Sequence, residues 1–174
     1  MSTAKDQQNK WLISITDGVK LGEIKDLFVD SGYTKVVASY LGEEGSFFKK
    51  TPRAIERSYI QVFGVDAWLV SGSDTTRSLL EISGSEDFIL VSDIRGREIH
   101  SEGNTPLGVV EDVLLDKETN VVGFTLSKIF VQGPISERKA IAREAITNFG
   151  SKDTPMKTLL NKAESLEIHS TTIY

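Results

Sequence analysis

Two stretches of this 174-residue chain repeat each other at one constant spacing. The repeated pairs are LGEIKDLFVD (21–30) with LGVVEDVLLD (107–116), and AIERSYIQVFG (54–64) with AIAREAITNFG (140–150). Both pairs lie 86 residues apart without a gap. Self-similarity at a fixed spacing is typical of repeated folds, so the two matches predict an internal duplication. Two β-hairpins that are alike in sequence without being copies remain the alternative.

Each copy predicts short antiparallel strands. Apolar, β-branched runs alternate with Gly-containing turns such as SGYT (31–34) and EGN (102–104), a spacing typical of hairpins rather than helix crossovers. The segment AIAREAITNFG has good helix propensity by itself, but its counterpart in the first copy favours β structure. Short strands with small loops close best as small barrels. We therefore predict an all-β chain of two tandem small antiparallel β-barrels.

The ends of the two copies differ. The first ends in a strand, AWLV, where the second has DTPMKTLLNKAESL. Asp153 or Thr154 could cap a helix there, Pro155 suits its first turn, and a short C-terminal helix is expected at about 155–165. The predicted organisation is a disordered tail at 1–10, a first barrel at 11–72, a Ser- and Gly-rich linker at 73–92, a second barrel at 93–152, and the C-terminal helix and tail at 153–174.

The composition narrows the chemistry that is available. The formal net charge is -5, and basic and acidic residues are spread over both halves, which disfavours unaided binding to nucleic acid or anionic membranes. The absence of Cys excludes disulfides, thiolate metal sites and Cys nucleophiles, and it suits a cytoplasmic protein. The polar start has no signal-peptide pattern, and no apolar run reaches the roughly 20 residues that span a bilayer. A membrane would therefore be reached only through a partner.

The repeated pattern resembles the PRC-barrel family, which is found in the photosynthetic reaction centre H subunit and in a ribosome-maturation factor. The resemblance rests on a Gly turn, Leu-Gly, an acid within an aliphatic stretch that ends in Asp, and a Val-rich return strand. These features occur in DGVKLGEIKDLFVDSGYTKVVASYL and in IRGREIHSEGNTPLGVVEDVLLDKETNVVGFTL. In the second copy the pattern lacks its last strand, which leaves closure of that barrel open.

The resemblance implies a fold and a non-enzymatic adaptor role, and it carries over no catalytic residue. By analogy with the H subunit, we expect a protein that regulates or assembles a membrane or photosynthetic complex. The alternative, by analogy with the maturation factor, is an accessory in RNA processing or ribosome assembly. Fold analogy alone supports both. We expect a protein partner and no cofactor, and a homo-oligomer is left open.

The acids and histidines predict no catalytic or metal site. Asp30 and Asp116 precede turns and suit turn capping, while Asp26 and Asp112 interrupt apolar stretches and could accept backbone N–H bonds at a bulge. A cation held by these acid pairs is the alternative. His100 and His169 lack the converging partners that a triad or a histidine metal site requires.

The candidate partner surface combines aromatic and basic residues of the first copy, which holds most of the aromatics. Its predicted members are Tyr40, Trp68, Lys49, Lys50, Arg53 and Arg57. The basic group has a counterpart in Arg138, Lys139 and Arg143 of the second copy. Exposed aromatic and cationic side chains are common where proteins bind each other, whereas the alternatives are a bulkier core and an ordinary solvated loop.

Overall fold

The computed structural model describes residues 1–168, which are mostly β structure with three short helices. The strands are β1 (Ser2–Thr3), β2 (Trp11–Ser14), β3 (Lys20–Glu23), β4 (Asp26–Val29), β5 (Val36–Ser46), β6 (Lys49–Glu56), β7 (Ile60–Phe63), β8 (Ala67–Val70), β9 (Arg77–Ser78), β10 (Ile89–Leu90), β11 (Glu98–Ser101), β12 (Pro106–Leu115), β13 (Val121–Ile129), β14 (Ala140–Ala142), β15 (Ile146–Asn148) and β16 (Met156–Thr158). The helices are α1 (Val91–Ile94), α2 (Pro134–Arg138) and α3 (Leu160–Ser165).

The described residues form two compact units. The first unit is residues 4–90, and the second joins residues 1–3 to residues 91–168. The first unit contains two sheets, with strand orders β3-β2-β8-β7 and β10-β4-β5-β6-β9. The second unit contains one sheet, with strand order β14-β13-β12-β11-β16-β15 and with β1 paired to β12. Most strands are short and antiparallel, as the sequence predicted.

The number of sheets differs because one long strand is interrupted in the first unit. β3 ends at Glu23 and β4 begins only at Asp26, so the long strand is broken at residues 24–25. In the second unit, β12 runs through the corresponding stretch without a break and shifts its register against β13 on both sides of Val110. The predicted β-rich class is confirmed by the strand content. Over residues 1–168 no sheet closes on itself, so the two closed barrels stay a prediction.

Each unit has its own buried apolar core. In the first unit, Leu12 and Trp68 are fully buried, and Phe28 packs with Ala38 and Ile82. In the second unit, Ile99, Phe124 and Met156 are fully buried, together with Leu107, Val113, Leu115 and Ile141. Both cores consist largely of the inward-facing members of alternating strands, which explains why the aliphatic pattern predicted strands correctly.

The last strand of the second copy is present, which corrects the expected absence. Residues 156–158 form β16, which pairs in parallel with β11 and antiparallel with β15. Met156 and Thr158 are buried and Lys157 between them is half-buried, which is a strand alternation. The helix expected at about 155–165 therefore begins only at Leu160, after this strand. Pairing with β11 overrides the helical pattern of the segment.

The expected disordered tail at 1–10 is ordered. Ser2 and Thr3 pair with Leu115 and Leu114 of β12, and the Ala4 side chain is buried. A 3₁₀ turn follows at Lys5–Gln7. The polar composition was a poor guide because backbone pairing to a strand edge does not require apolar side chains.

The expected linker at 73–92 is packed rather than loose. Ile82 lies in the core cluster of the first unit, and β10 pairs with Phe28 and Val29 of β4. Arg77 and Ser78 form β9, a short strand that is followed by a 3₁₀ turn at Leu79–Glu81. Ser, Gly and Asp here supply turns of a folded segment rather than a flexible connection.

Candidate partner-binding hairpin

The longest hairpin of the first unit extends beyond its core. The inner parts of β5 and β6 are largely buried, whereas β5 becomes exposed from Glu43 onwards and β6 starts exposed at Lys49. We call the outer part, residues 42–53, the arm. Its strands pair from Gly42 with Arg53 to Ser46 with Lys49, so it projects roughly 15 Å beyond the buried part.

Two phenylalanines form the tip of the arm. Phe47 and Phe48 are the two turn residues between Ser46 and Lys49, and they are 90% and 94% exposed. Their rings contact each other edge to face, with centroids 5.3 Å apart. Two-residue hairpin turns favour Asn-Gly or Gly-containing pairs, so turn geometry does not call for two large aromatic rings. Neither core packing nor turn chemistry accounts for these side chains.

The narrow tip requires glycine at position 45. Its φ is +134°, and a Cβ at this position would come within 2.1 Å of the carbonyl oxygen of Lys49. A side chain therefore cannot be placed there without moving the backbone of the opposite strand. The tip is a defined turn that depends on glycine rather than an arbitrary loop.

The charges of the arm are ordered along its length. Lys49 and Lys50 follow the tip directly and are exposed. Glu44, opposite Thr51, is further from the tip and forms an ion pair with Arg53 at 3.3 Å. The positive groups next to the aromatic rings are therefore lysines, while Arg53 is shared with a carboxylate of the same hairpin.

Tyr40 lies at the base of the arm and not at its tip. It is half-buried, pairs with Ala54, and contacts the Phe28 ring edge to face at 5.7 Å. Burial, and to a lesser extent the negative charges of Glu43 and Asp26, raise the pKa of its phenol above the ordinary value. Tyr40 is therefore a protonated phenol that is anchored to the core and only partly available to a partner.

Two predicted members of the surface have other roles. Trp68 is completely buried and packs edge to face against Phe63 at 4.9 Å, so its assignment to a contact surface is wrong. β8, which carries Trp68, is a central strand between β2 and β7, and its inward face is covered. The guanidinium of Arg57 lies 5.5 Å from the centroid of Phe63, away from the arm. Of the predicted set, only Lys49, Lys50 and Arg53 belong to the arm.

The basic group of the second copy does not form a matching patch. Where the first unit has the arm, the second has α2 between β13 and β14. Arg138 at the end of α2 donates to the carbonyls of Ala163 and Glu164, at 2.7 and 2.8 Å, and so caps the end of α3. Arg143 lies over the ring of Phe149 at 5.5 Å, as Arg57 does over Phe63.

Asp26 and Asp112 accept hydrogen bonds from backbone N–H groups, as expected. The carboxylate of Asp26 accepts from the N–H of Leu27 at 2.8 Å. Asp112 accepts from the N–H of Val113 at 2.9 Å, beside a register shift of β12, and pairs with Arg95 at 3.0 Å. The bulge role is thus confirmed for Asp112.

The other two aspartates close turns. Asp116 accepts from the N–H groups of Glu118 and Asn120 and from the Asn120 side chain, each at 2.9 Å. Asp30 accepts from the N–H groups of Thr34 at 2.6 Å and Lys35 at 3.0 Å. Burial raises the pKa of Asp30, but the hydrogen bonds from the Thr34 hydroxyl and from these N–H groups outweigh it, and the net pKa is below the ordinary value.

Among the described residues, no group of three or more His, Asp or Glu side chains is arranged so that it could hold a metal ion. The Nε2 atom of His100 lies within hydrogen-bonding distance, 2.6 Å, of a carboxylate oxygen of Glu98. His169 lies outside the described residues. The acids are thus engaged in backbone and local pairing, which does not resemble a general acid–base site.

The sequence reasoning did not select Phe47 and Phe48. These two residues form the turn between β5 and β6. A signal was present: two lysines follow the pair directly and GEEGS precedes it, so the phenylalanines have polar flanks on both sides. Their exposure became evident only when β5 and β6 were seen to extend past the core.

Comparison with known protein families then connects the fold to a known domain. Residues 86–149 match the PRC-barrel domain. The match covers most of the second copy, and a PRC-barrel domain suggests a small protein-interaction module. No curated protein matched the chain. Among residues 1–168, no helix is long and apolar enough to cross a membrane.

Proposed function

We propose that the chain is a non-enzymatic interaction module made of two PRC-barrel copies, and that the arm is its docking element. The observation that carries the proposal is the exposure of Phe47 and Phe48, at 90% and 94%, on a projecting turn. Large exposed apolar groups that serve neither core nor turn are typical of binding sites. An adaptor that assembles or regulates a membrane complex would use such an element to reach its target.

Support for a second copy comes from matching strand pairing. The order β3-β2-β8-β7 in the first unit corresponds to β12-β11-β16-β15 in the second. In both, the pair in the middle is parallel: Leu12 faces Trp68, and Ile99 faces Met156. One parallel pair inside an otherwise antiparallel arrangement is a specific feature to share, because consecutive strands normally pair antiparallel.

Matching backbone hydrogen bonds extend the correspondence. Asn9 and Gly96 both adopt positive φ, at 66° and 86°. The N–H of Asn9 donates to the carbonyl of Ile24, and the N–H of Gly96 donates to that of Val110, each at 2.8 Å. Asn and Gly are the residues that most readily adopt this conformation, so different sequences reach the same geometry.

The short strands that lead into the copies also correspond. Ser2–Thr3 precede the first copy and pair with Leu114 and Leu115 of β12. Ile89–Leu90 precede the second copy and pair with Phe28 and Val29 of β4. Each leading strand therefore pairs with the long strand of the other copy. Reciprocal exchange of an identical element is typical of duplicated or domain-swapped folds.

The arm is where the copies differ, which supports a role for it beyond the fold. The turn acids, the parallel strand pair and the Arg–Phe contacts recur in both units, whereas α2 replaces the arm in the second. Features that both copies need for folding are expected to be shared, and a docking element is not. The RNA-associated alternative has weaker support, because Arg53 is paired with Glu44 and Arg57 lies over Phe63.

The test compares capture of partners by full-length tagged proteins from the native host. The variant Phe47→Ser/Phe48→Ser removes the tip, and Val65→Ser/Leu80→Ser removes two other exposed apolar side chains, at 86% and 84% exposure, from the same unit. We expect membrane-complex proteins to be captured by the wild type and the control and to be lost with the tip variant. Equal capture by all three proteins would refute the docking role, and ribosomal particles in place of membrane proteins would favour the RNA alternative.

A further inference from the structure

The shape of the tip limits what it can bind. Two Phe side chains bury at most about 500 Å² together. A standard protein–protein interface takes roughly 800 Å² from each partner. Beyond Arg53, which pairs with Ser78 of β9, the two strands of the arm pair only with each other in the described part of the chain. The apolar tip by itself is therefore small for a specific protein interface.

A lipid bilayer has no such minimum area. Aromatic rings of amphipathic elements enter the boundary between headgroups and acyl chains one by one, and lysines beside them reach the phosphates. Phe47 and Phe48 carry no polar group that would need a partner after leaving water. A narrow convex turn with two rings at its end is suited to entering this boundary.

The charges next to the rings fit an anionic surface. Lys49 pairs with Ser46 and Lys50 with Gly45, so the two ammonium groups lie on opposite faces of the arm just behind the tip. Glu44 is two ladder positions from the turn and is engaged by Arg53. When the rings are buried, the first charges to meet the headgroups are thus positive.

We propose that Phe47, Phe48, Lys49 and Lys50 insert the arm into the surface of an anionic lipid bilayer. This inference rests on the proposed docking role of the arm and names what the arm docks on. The proposal differs from the expectation that a membrane is reached only through a partner, which rested on the net charge of -5. That charge belongs to the whole chain and does not exclude a local site, because charges more than about 10 Å apart are largely screened at physiological salt. The negative net charge does predict that the protein attaches to the bilayer weakly, reversibly and in a salt-sensitive way.

The experiment measures binding of the full-length protein to vesicles by flotation. Vesicles of phosphatidylcholine alone are compared with vesicles that also contain phosphatidylserine. We expect the wild type to float with the anionic vesicles. Phe47→Ser/Phe48→Ser should lower the partition coefficient at least about 100-fold, because each of the two buried rings contributes roughly a factor of ten or more. The control Val65→Ser/Leu80→Ser should bind like the wild type.

The lysines are tested separately. Lys49→Gln/Lys50→Gln should weaken binding to the anionic vesicles several-fold and leave binding to neutral vesicles unchanged, since lysines act through the surface potential. Folding of every variant is checked by the fluorescence of the tryptophans, because Trp68 is buried in the core of the same unit. Absence of wild-type binding to anionic vesicles at low salt would overturn the inference, as would equal binding of the tip variant.

The two proposals can fail independently. Loss of a soluble protein partner by the tip variant, with no vesicle binding by the wild type, would overturn the lipid inference and leave the docking role of the arm standing. If the tip variant kept both its partners and its vesicle binding, both proposals would be refuted. Vesicle binding that is lost with the rings and weakened by the lysine variant supports both.

Discussion

Removal of the Asp116 carboxylate should destabilise the second unit by about 3 kcal/mol. The residue is 3% exposed and accepts three hydrogen bonds at 2.9 Å, from Glu118 and Asn120. A hydrogen bond to a charged group contributes about 1.5–3 kcal/mol. Glu118 is exposed, so water can replace its bond, and the two bonds from Asn120 account for about 3 kcal/mol. In Asp116→Ala these donors lose their partner.

Asp30→Ala is the matched control, since Asp30 closes the equivalent turn in the first unit. Asp30 also accepts three hydrogen bonds, from the N–H groups of Thr34 and Lys35 and from the Thr34 hydroxyl, but both residues are exposed, so the expected loss is only about 1 kcal/mol. Both tryptophans lie in the first unit, so their fluorescence does not report on the second unit. Hydrogen exchange measured by mass spectrometry is used instead, because it follows the peptides of each hairpin separately.

For a peptide that covers 106–129, a 3 kcal/mol loss corresponds to roughly 100-fold faster exchange of amides that open with the unit. An effect of Asp116→Ala that is no larger than that of Asp30→Ala, each in its own hairpin, would refute the reasoning. The comparison tests whether burial, rather than the number of hydrogen bonds, decides the cost.

Three further outcomes are expected. Phe124→Ala should lower the free energy of unfolding by about 3–5 kcal/mol in urea titrations, because this ring is fully buried; a loss below about 1 kcal/mol would contradict its core position. Asp30→Asn should make the fall in stability below about pH 4 less steep. Because the pKa of Asp30 is lower in the folded protein, its carboxylate contributes stability that is complete above the pKa of the unfolded chain and is lost as the pH falls through the pKa of the folded protein. Equal slopes of wild type and variant in acid denaturation would argue against this role. Gly45→Ala should speed hydrogen exchange within the arm, because the new Cβ would lie 2.1 Å from a carbonyl oxygen. Gly32→Ala should not speed exchange in its own turn, because the nearest atoms are 3.5 Å from the new Cβ. A similar effect of both substitutions would contradict the need for glycine at position 45.

The strand pattern and the turns could be predicted from the sequence because their causes are local. Apolar, β-branched runs indicated β4 and β12, and an acid before a polar turn indicated the carboxylate that binds the turn N–H groups. AIAREAITNFG is a different case, because its local helix propensity was misleading and only comparison with its copy correctly favoured strands. It forms β14 and β15 around a 3₁₀ turn at Arg143–Ala145.

The last strand of the second copy was missed for a physical reason. Ile60 pairs with Val70 across the final hairpin of the first unit, whereas Ile146 pairs with Thr158 across a longer connection in the second. The extra residues shift the spacing, so a comparison at a constant offset no longer aligns the strand. Met-Lys-Thr has no strong strand propensity, and only its pairing with β11 and β15 selects the extended form.

Exposure of the aromatic residues is the part that depends on tertiary structure. Local sequence was enough for elements whose hydrogen bonds close within a few residues, such as the Asp30 turn. Trp68 and Phe47 were equally suitable surface candidates as residue types, yet one is fully buried and the other 90% exposed. The difference arises because β8 lies between two strands, whereas β5 and β6 continue past the core. Which side chains a partner can reach is set by strands that are distant in sequence.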